Sequence, residues 1–366
     1  VPEYSYVAYD LRTNRPVAEI PLSGVQWSVA LNDDGALSGT IPAGTARGRV
    51  DLRSLLHART VIYPMRDGQY VPNGYILWDD NPTPTGLQIS DGNALGLLSY
   101  FNRRRITNTI SYLQVDQLAI AEDLITTAQE VPGGNIGVTV LGLTSNVKRD
   151  RTYSASEIKN VREALLQLGA VLNGFDVNIT VNADSDGSPR KTLLLGYPYL
   201  GRTQAATGLV MEYPGNVIDY NWQRLGSSLT TDMWVLGAAT DDTALRSLAR
   251  NPALLDAGWP VLESDVSYTD VSEQSTLNAH ALGEAAERSG IVVVPTLTVY
   301  ADDPPLMSYM VGDYVRIRIT SDSFGGDPDV PAVDQNARIT KITVTVPDNG
   351  DTETVNIELS AVVVRL

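Results

Sequence analysis

Two histidines and no cysteine narrow the chemistry open to this chain of 366 residues. Without thiols there is no disulfide, no thiolate nucleophile and no Cys-ligated zinc, and the composition suits folding in a reducing cytoplasm. His57 stands beside a helix end in Leu55-Leu56-His57-Ala58, and His280 lies in a helical stretch with Glu284 four positions on. That spacing puts His280 and Glu284 on one face, where they could share a metal. Zinc needs three or four ligands, however, and the H-E-x-x-H order is not met, so both histidines read as structural. No G-x-S-x-G elbow occurs. Asn182-x-Asp184-x-Asp186-Gly187 matches the first half of a calcium loop, but its twelfth position is Leu193, where a bidentate Glu is required. It reads as a polar hairpin tip. The glycine-rich residues 131–137 lack the patterns that cradle phosphate and read as a helix stop. The 43 acidic residues offer many pairs for glycoside hydrolysis, and the 17 tyrosines could stack on sugars or serve as strand residues with a polar tip. No catalytic, cofactor-binding or metal-ligating residue is assigned.

The charge balance excludes one class of function. A net charge of −16 argues against gripping nucleic acid, which needs clustered Lys and Arg. The best basic run, Arg103-Arg104-Arg105, is isolated and reads as a solvated or inter-subunit patch. No apolar run approaches the roughly 18 residues of a membrane helix, and no secretory segment is visible at Val1.

Residues 7–42 are the clearest guide to architecture. Val25, Trp27, Val29 and Leu31 alternate with Gln26, Ser28 and Ala30, the period of a half-buried strand. With Thr13-Asn14 and Asn32-Asp33-Asp34-Gly35 as turns, the stretch predicts a meander of four antiparallel strands. Residues 51–57 predict a short helix capped by Asp51, 60–65 and 70–78 strands, and 94–98 a helical turn. Residues 113–127 predict a helix stopped by Pro132-Gly133-Gly134, and Ser154 with Glu157 a capping box ahead of an apolar stripe at Ile158, Val161, Leu165 and Leu168. A hairpin follows at 175–181 and 191–195. Strands are expected at 209–213, 217–222, 229–236, 261–268, 291–300, 314–319, 337–346 and 352–364, with helices at 242–250 and 272–288. Asn349-Gly350 favours a type I′ turn. The fold class is mainly β with α+β, in more than one packed unit.

The opening segment resembles the start of tail-hub proteins of long-tailed bacteriophages, labelled minor tail proteins in siphophages of actinobacteria. It carries Asp10, Thr13, Leu22, Trp27, Leu31, Asn32, Gly35, Gly39 and Pro42 in the family's order, with Asn14 where Gly is common and Ile20-Pro21 for Leu-Pro. Leu194-Leu195-Gly196-Tyr197-Pro198 and residues 211–220 look like the family's middle signature, and Val311-Gly312-Asp313-Tyr314-Val315 like its late strand entry. The resemblance implies two tail-tube-like β-barrels with inserted α+β domains, as in a baseplate hub. The first barrel is expected at 1–100 and an α+β domain at 101–200. The second barrel falls at 201–237 with 290–366, and 238–289 is an insertion completing the middle domain.

It also implies a non-enzymatic protein of the virion tail tip, made in the host cytoplasm, without cofactors. A homotrimer would continue the sixfold tail tube into a threefold tip. Its expected partners are the distal tail protein ring, the tape measure protein and tip or fibre proteins, and genomic DNA would pass through without specific binding. The readings set against this are an envelope-polysaccharide hydrolase with paired carboxylates and a receptor-binding tail module.

Overall fold

The alternation around Trp27 builds the strand Ser23–Ala30, with Val25, Trp27 and Val29 buried. Ser28 and Ala30 are buried as well, so both faces of this strand are covered there, and within the sheet it lies between Ala36–Pro42 and Val333–Thr345. The computed structural model describes residues 2–43, 52–171, 173–237, 245–268, 274–324, 330–348 and 352–365. They divide into two compact units, Val1–Asp219 with Thr298–Ile357, and Tyr220–Leu297 with Glu358–Leu366.

In the first unit the sheet runs Val333–Thr345, Ser23–Ala30, Ala36–Pro42, Gly86–Gly96, Tyr75–Leu77, Thr60–Arg66, Tyr4–Asp10, Pro16–Glu19. The opening strands are therefore two hairpins set apart within one sheet, not a four-strand meander. Long-range pairing decides this: Tyr4–Asp10 matches Thr60–Arg66 at all seven positions, from Tyr4 to Arg66 through Asp10 to Thr60. Such a ladder is invisible to a local reading of turns. Residues 20–22 nevertheless join Pro16–Glu19 to Ser23–Ala30, six steps away in sheet order. Six steps in a flat sheet would span about 29 Å, and the link reaches about 14 Å at most. The sheet must therefore roll.

The α+β part of this unit packs against the sheet through a shared apolar core. The helix Gln117–Glu130 buries Leu118, Ala121, Leu124, Ile125 and Ala128, in agreement with the periodicity. It starts later than predicted, since Ile110–Asp116 is a strand and Leu113 is 77% exposed. Asp116 caps it, accepting from the Leu118 N–H, and also holds Ser145. The helix Val161–Gly169 is capped by Asn160; Ser154 caps only the single turn Ala155–Glu157, which Ile158 ends at φ 45°. Asp176–Ala183 and Pro189–Gly196 form the expected hairpin.

Around residues 51–57 only Leu52–Ser54 is helical, with Asp51 outside the described residues, and 94–98 splits between the strand Gly86–Gly96 and the 3₁₀ turn Leu97–Arg103. The Asn349-Gly350 turn also lies outside the described residues.

The second unit contains a three-stranded sheet, Arg246–Arg250, Asp232–Leu236 and Glu263–Ser267, with the helix Gln274–Glu287 across one face. Met233, Val235, Ala249, Leu277 and Ala281 form its core. Within 242–250, predicted helical, residues 246–250 are a strand and 242–244 lie outside the described residues. Arg246, Leu248 and Arg250 are exposed while Ser247 and Ala249 are buried, a period of two inside a segment whose leucines also fit a helix.

Candidate functional site

Residues that carry the family resemblance converge on a polar junction in the first unit. Two glycines make it possible. Gly201 and Gly312 have φ of +103° and +96°, and their backbones touch: a Cβ on Gly201 would lie 2.1 Å from the Gly312 carbonyl carbon. One on Gly312 would lie 2.3 Å from the Leu200 carbonyl oxygen. Gly312→Ala is expected to cost about 2 kcal/mol or more, from the positive φ and the backbone clash together. A urea titration of the purified variant measures it.

Beside this contact the Asp313 side chain is fully buried. It accepts from the Arg202 backbone N–H at 2.7 Å, from Arg202 Nη2 at 2.5 Å and from the Met310 N–H at 3.1 Å. Its carboxylate raises the pKa of Arg202 through these hydrogen bonds. Arg338 spans the junction, donating to the carbonyls of Leu200 (2.6 Å) and Gly312 (3.0 Å) and to Asp176. Asp176 also accepts from the Leu200 N–H and from Asn32 Nδ2, both at 2.8 Å, and the Asn32 side-chain oxygen accepts from the Val177 N–H. One network thus ties the 32–35 turn, the middle hairpin, residues 200–202 and the Gly312-Asp313 strand entry. Both oxygens of Asp176 and of Asp313 accept hydrogen bonds, so both carboxylates are committed to holding the frame of the junction.

The remaining motif residues have the same character. Asn14 stands at φ 55° where glycine is common, and its Nδ2 donates to the Pro189 carbonyl. Asn32 and Gly35 supply the positive φ of their turn, and a Cβ on Gly35 would meet the Ser28 carbonyl oxygen at 2.3 Å. Burial alone would raise the Asp10 pKa. The Thr13 N–H and hydroxyl and the Arg59 guanidinium outweigh it and hold Asp10 down to about 2. Asp34 goes the other way, pushed up to about 6 by burial against the opposing pull of Arg162.

Lys191, which no motif announced, is only 2% exposed. Its ammonium donates to the carbonyls of Leu11 (3.1 Å) and Ile136 (2.5 Å), joining the first hairpin to the α+β part. Burial lowers its pKa to about 8, with Asp10 pulling against the shift.

Candidates from the sequence scatter. His57 Nε2 lies 2.9 Å from Asp80 at the surface. His280 stacks on Tyr268, while Glu284 accepts from Tyr268 Oη and from Arg288. The residue 182–187 loop closes on itself: the Ser185 and Ser188 N–H groups donate to Asp184 and Asp186, and Gly187 turns at φ 82°. Arg104 and Arg105 spend their guanidinium groups on carbonyls, including Ala128 near the end of its helix. No group of three metal-ligating side chains assembles among the described residues. The apolar crevice between Trp27 and Met310 holds about 50 Å³, far below the few hundred of a ligand pocket. A wider polar hollow of about 400 Å³ opens beside Asp10, Arg12, Arg59 and Tyr100.

No family model and no curated protein matches the sequence. Solved structures do match. The 43 kDa tail protein of prophage MuSo2 from Shewanella oneidensis superposes with a TM-score of 0.61 at 9% identity, over 98% of both chains. The tail protein from Neisseria meningitidis MC58 gives 0.58 at 11% identity, over 97% of this chain and 96% of that one. Prophage tail protein gp18 from Listeria monocytogenes EGD-e gives 0.50 at 13% identity, over 97% and 94%. At such identities the likeness is one of architecture, and the chain has the mainly β fold of these phage tail proteins.

Proposed function

We propose that the chain is a structural, non-enzymatic component of a phage tail, working as a hub at the tail tip. The observation that carries this reading is the extent of the likeness: the matched tail-protein chains and this one cover one another over 96% or more of each. A supporting point is that the motif residues serve turns and the buried junction, as a scaffold requires. In this reading three copies close a ring by heterologous contacts, each contributing two tube-like barrels, so that a sixfold tube meets a threefold tip. The distal tail ring lies above, tip or fibre proteins below, and the tape measure protein and then DNA pass along the axis. Reconstruction of the tail tip of the intact particle tests it. Three copies around the tube axis are expected; copies elsewhere on the virion overturn the hub.

The acidity of the chain acquires a purpose there. Three copies carry threefold the −16 of one chain, and part of that charge facing the lumen would keep phosphates from sticking. Exchanging lumen-facing Asp and Glu for Lys is expected to slow DNA ejection, more so at low salt. Ejection kinetics indifferent to these changes would remove the electrostatic role.

A further inference from the structure

Among the described residues, the three-stranded sheet of the second unit is covered by a helix on one face only. Its core face lies under Gln274–Glu287, and registry fixes what the other face carries. Trp234, at the centre, sits between Leu248 on one neighbouring strand and Asp265 on the other. One row along, Leu236 sits between Arg246 and Ser267; one row back, Asp232 sits between Arg250 and Glu263. An indole flanked by two leucines thus lies between an arginine-bearing strand and a strand bearing carboxylates and a hydroxyl.

The arrangement is held in place. Trp234 Nε1 donates to Glu263 at 3.0 Å, which fixes the ring, and Arg250 is spent on the buried Asp232 at 2.6 and 2.9 Å. Arg246 and Asp265 remain on either side of the ring, and Leu248 is 40% exposed. A hollow of about 350 Å³ lies over them, lined by Trp234, Leu236, Arg246, Glu263, Ser264 and Asp265.

We propose that this face binds a neutral saccharide, independently of the tail-hub reading. A pyranose has an apolar C–H face, suited to an indole, and a rim of hydroxyls that both donate and accept. Arg246 supplies donors on one side, Asp265 and Glu263 acceptors on the other. The apolar area is one ring and two leucines, short of the roughly 800 Å² per partner of a stable protein interface. Its volume falls at the lower end of small-ligand sites.

The test titrates the full chain with cellotetraose, maltotetraose and N-acetylchitotetraose, by calorimetry and saturation-transfer NMR. At least one is expected to bind with Kd on the order of 1 mM or below. Trp234→Ala and Asp265→Asn should each weaken binding by about tenfold or more, and Trp234→Phe, which keeps a ring, by less. The Asp265 variant alters an exposed carboxylate and should melt with wild type, so loss of binding there is not loss of fold. No binding of any probe at about 10 mM overturns the proposal, as does binding unaltered in both Trp234→Ala and Asp265→Asn.

Discussion

Replacing Asp313 with alanine is expected to lower the unfolding free energy by about 2–3 kcal/mol. The carboxylate is wholly buried, and its removal leaves the N–H groups of Arg202 and Met310 without their acceptor, while the half-exposed Arg202 guanidinium keeps the Ser308 carbonyl and water. Unpartnered buried donors destabilise, whereas the half-exposed guanidinium is rehydrated and adds little. Urea titration with the far-ultraviolet signal measures the effect. Asp313→Asn should fall between, because the amide oxygen still accepts while Arg202 loses its counter-charge. A loss below about 1 kcal/mol would mean the junction relaxes to admit water and does not hold the frame.

The second expectation concerns Lys191 and has the opposite pH sense from an ordinary ion pair. Its folded-state pKa, about 8, lies below the 10.5 of the exposed side chain. Below pH 8 both folded and unfolded chains carry the proton, and burying the charge costs stability in full. Between pH 8 and 10.5 the folded chain releases the proton first, so the unfolded state binds more protons and stability rises with pH. The difference in unfolding free energy between wild type and Lys191→Met should therefore move in favour of wild type by about 3 kcal/mol across that window. Titrating tyrosines affect both proteins alike and cancel. A flat difference would show that the amine reaches water in the folded state.

How far all this was legible in the sequence depends on the range of the interaction. Periodicity located most strands and the helices Gln117–Glu130, Val161–Gly169 and Gln274–Glu287, because Trp27, Leu124 or Leu168 declare their faces within a few neighbours. It failed where two patterns coincide. Leu113 fits the stripe of the following helix yet points to water from a strand, and the Leu245–Leu248 spacing imitates a helix that strand pairing overrides. The junction was half visible: Asn32, Gly312 and Asp313 stood in the motifs, whereas Asp176, Arg202 and Arg338 did not. Those three are recruited by chain crossings that no local pattern encodes. Lys191 did leave a trace, since it shares phase with Leu193 and Leu195 on the buried side of its strand. Trp234 lies within the strand expected at 229–236, and nothing local in the sequence shows which face of that strand the helix Gln274–Glu287 covers.

The pairing of Ser23–Ala30 with Val333–Thr345 also sets a clock. Gln26 and Thr345 lie opposite one another, 319 residues apart in the chain. At about 5–20 residues per second, a ribosome needs about 15–60 s to deliver the second strand after the first. Throughout that interval an apolar strand of the nascent chain waits with one edge unsatisfied, open to any other strand nearby. Folding of the first unit thus waits for delivery of residues 333–345, and a chain interrupted before residue 333 is expected to aggregate rather than accumulate as a partial subunit.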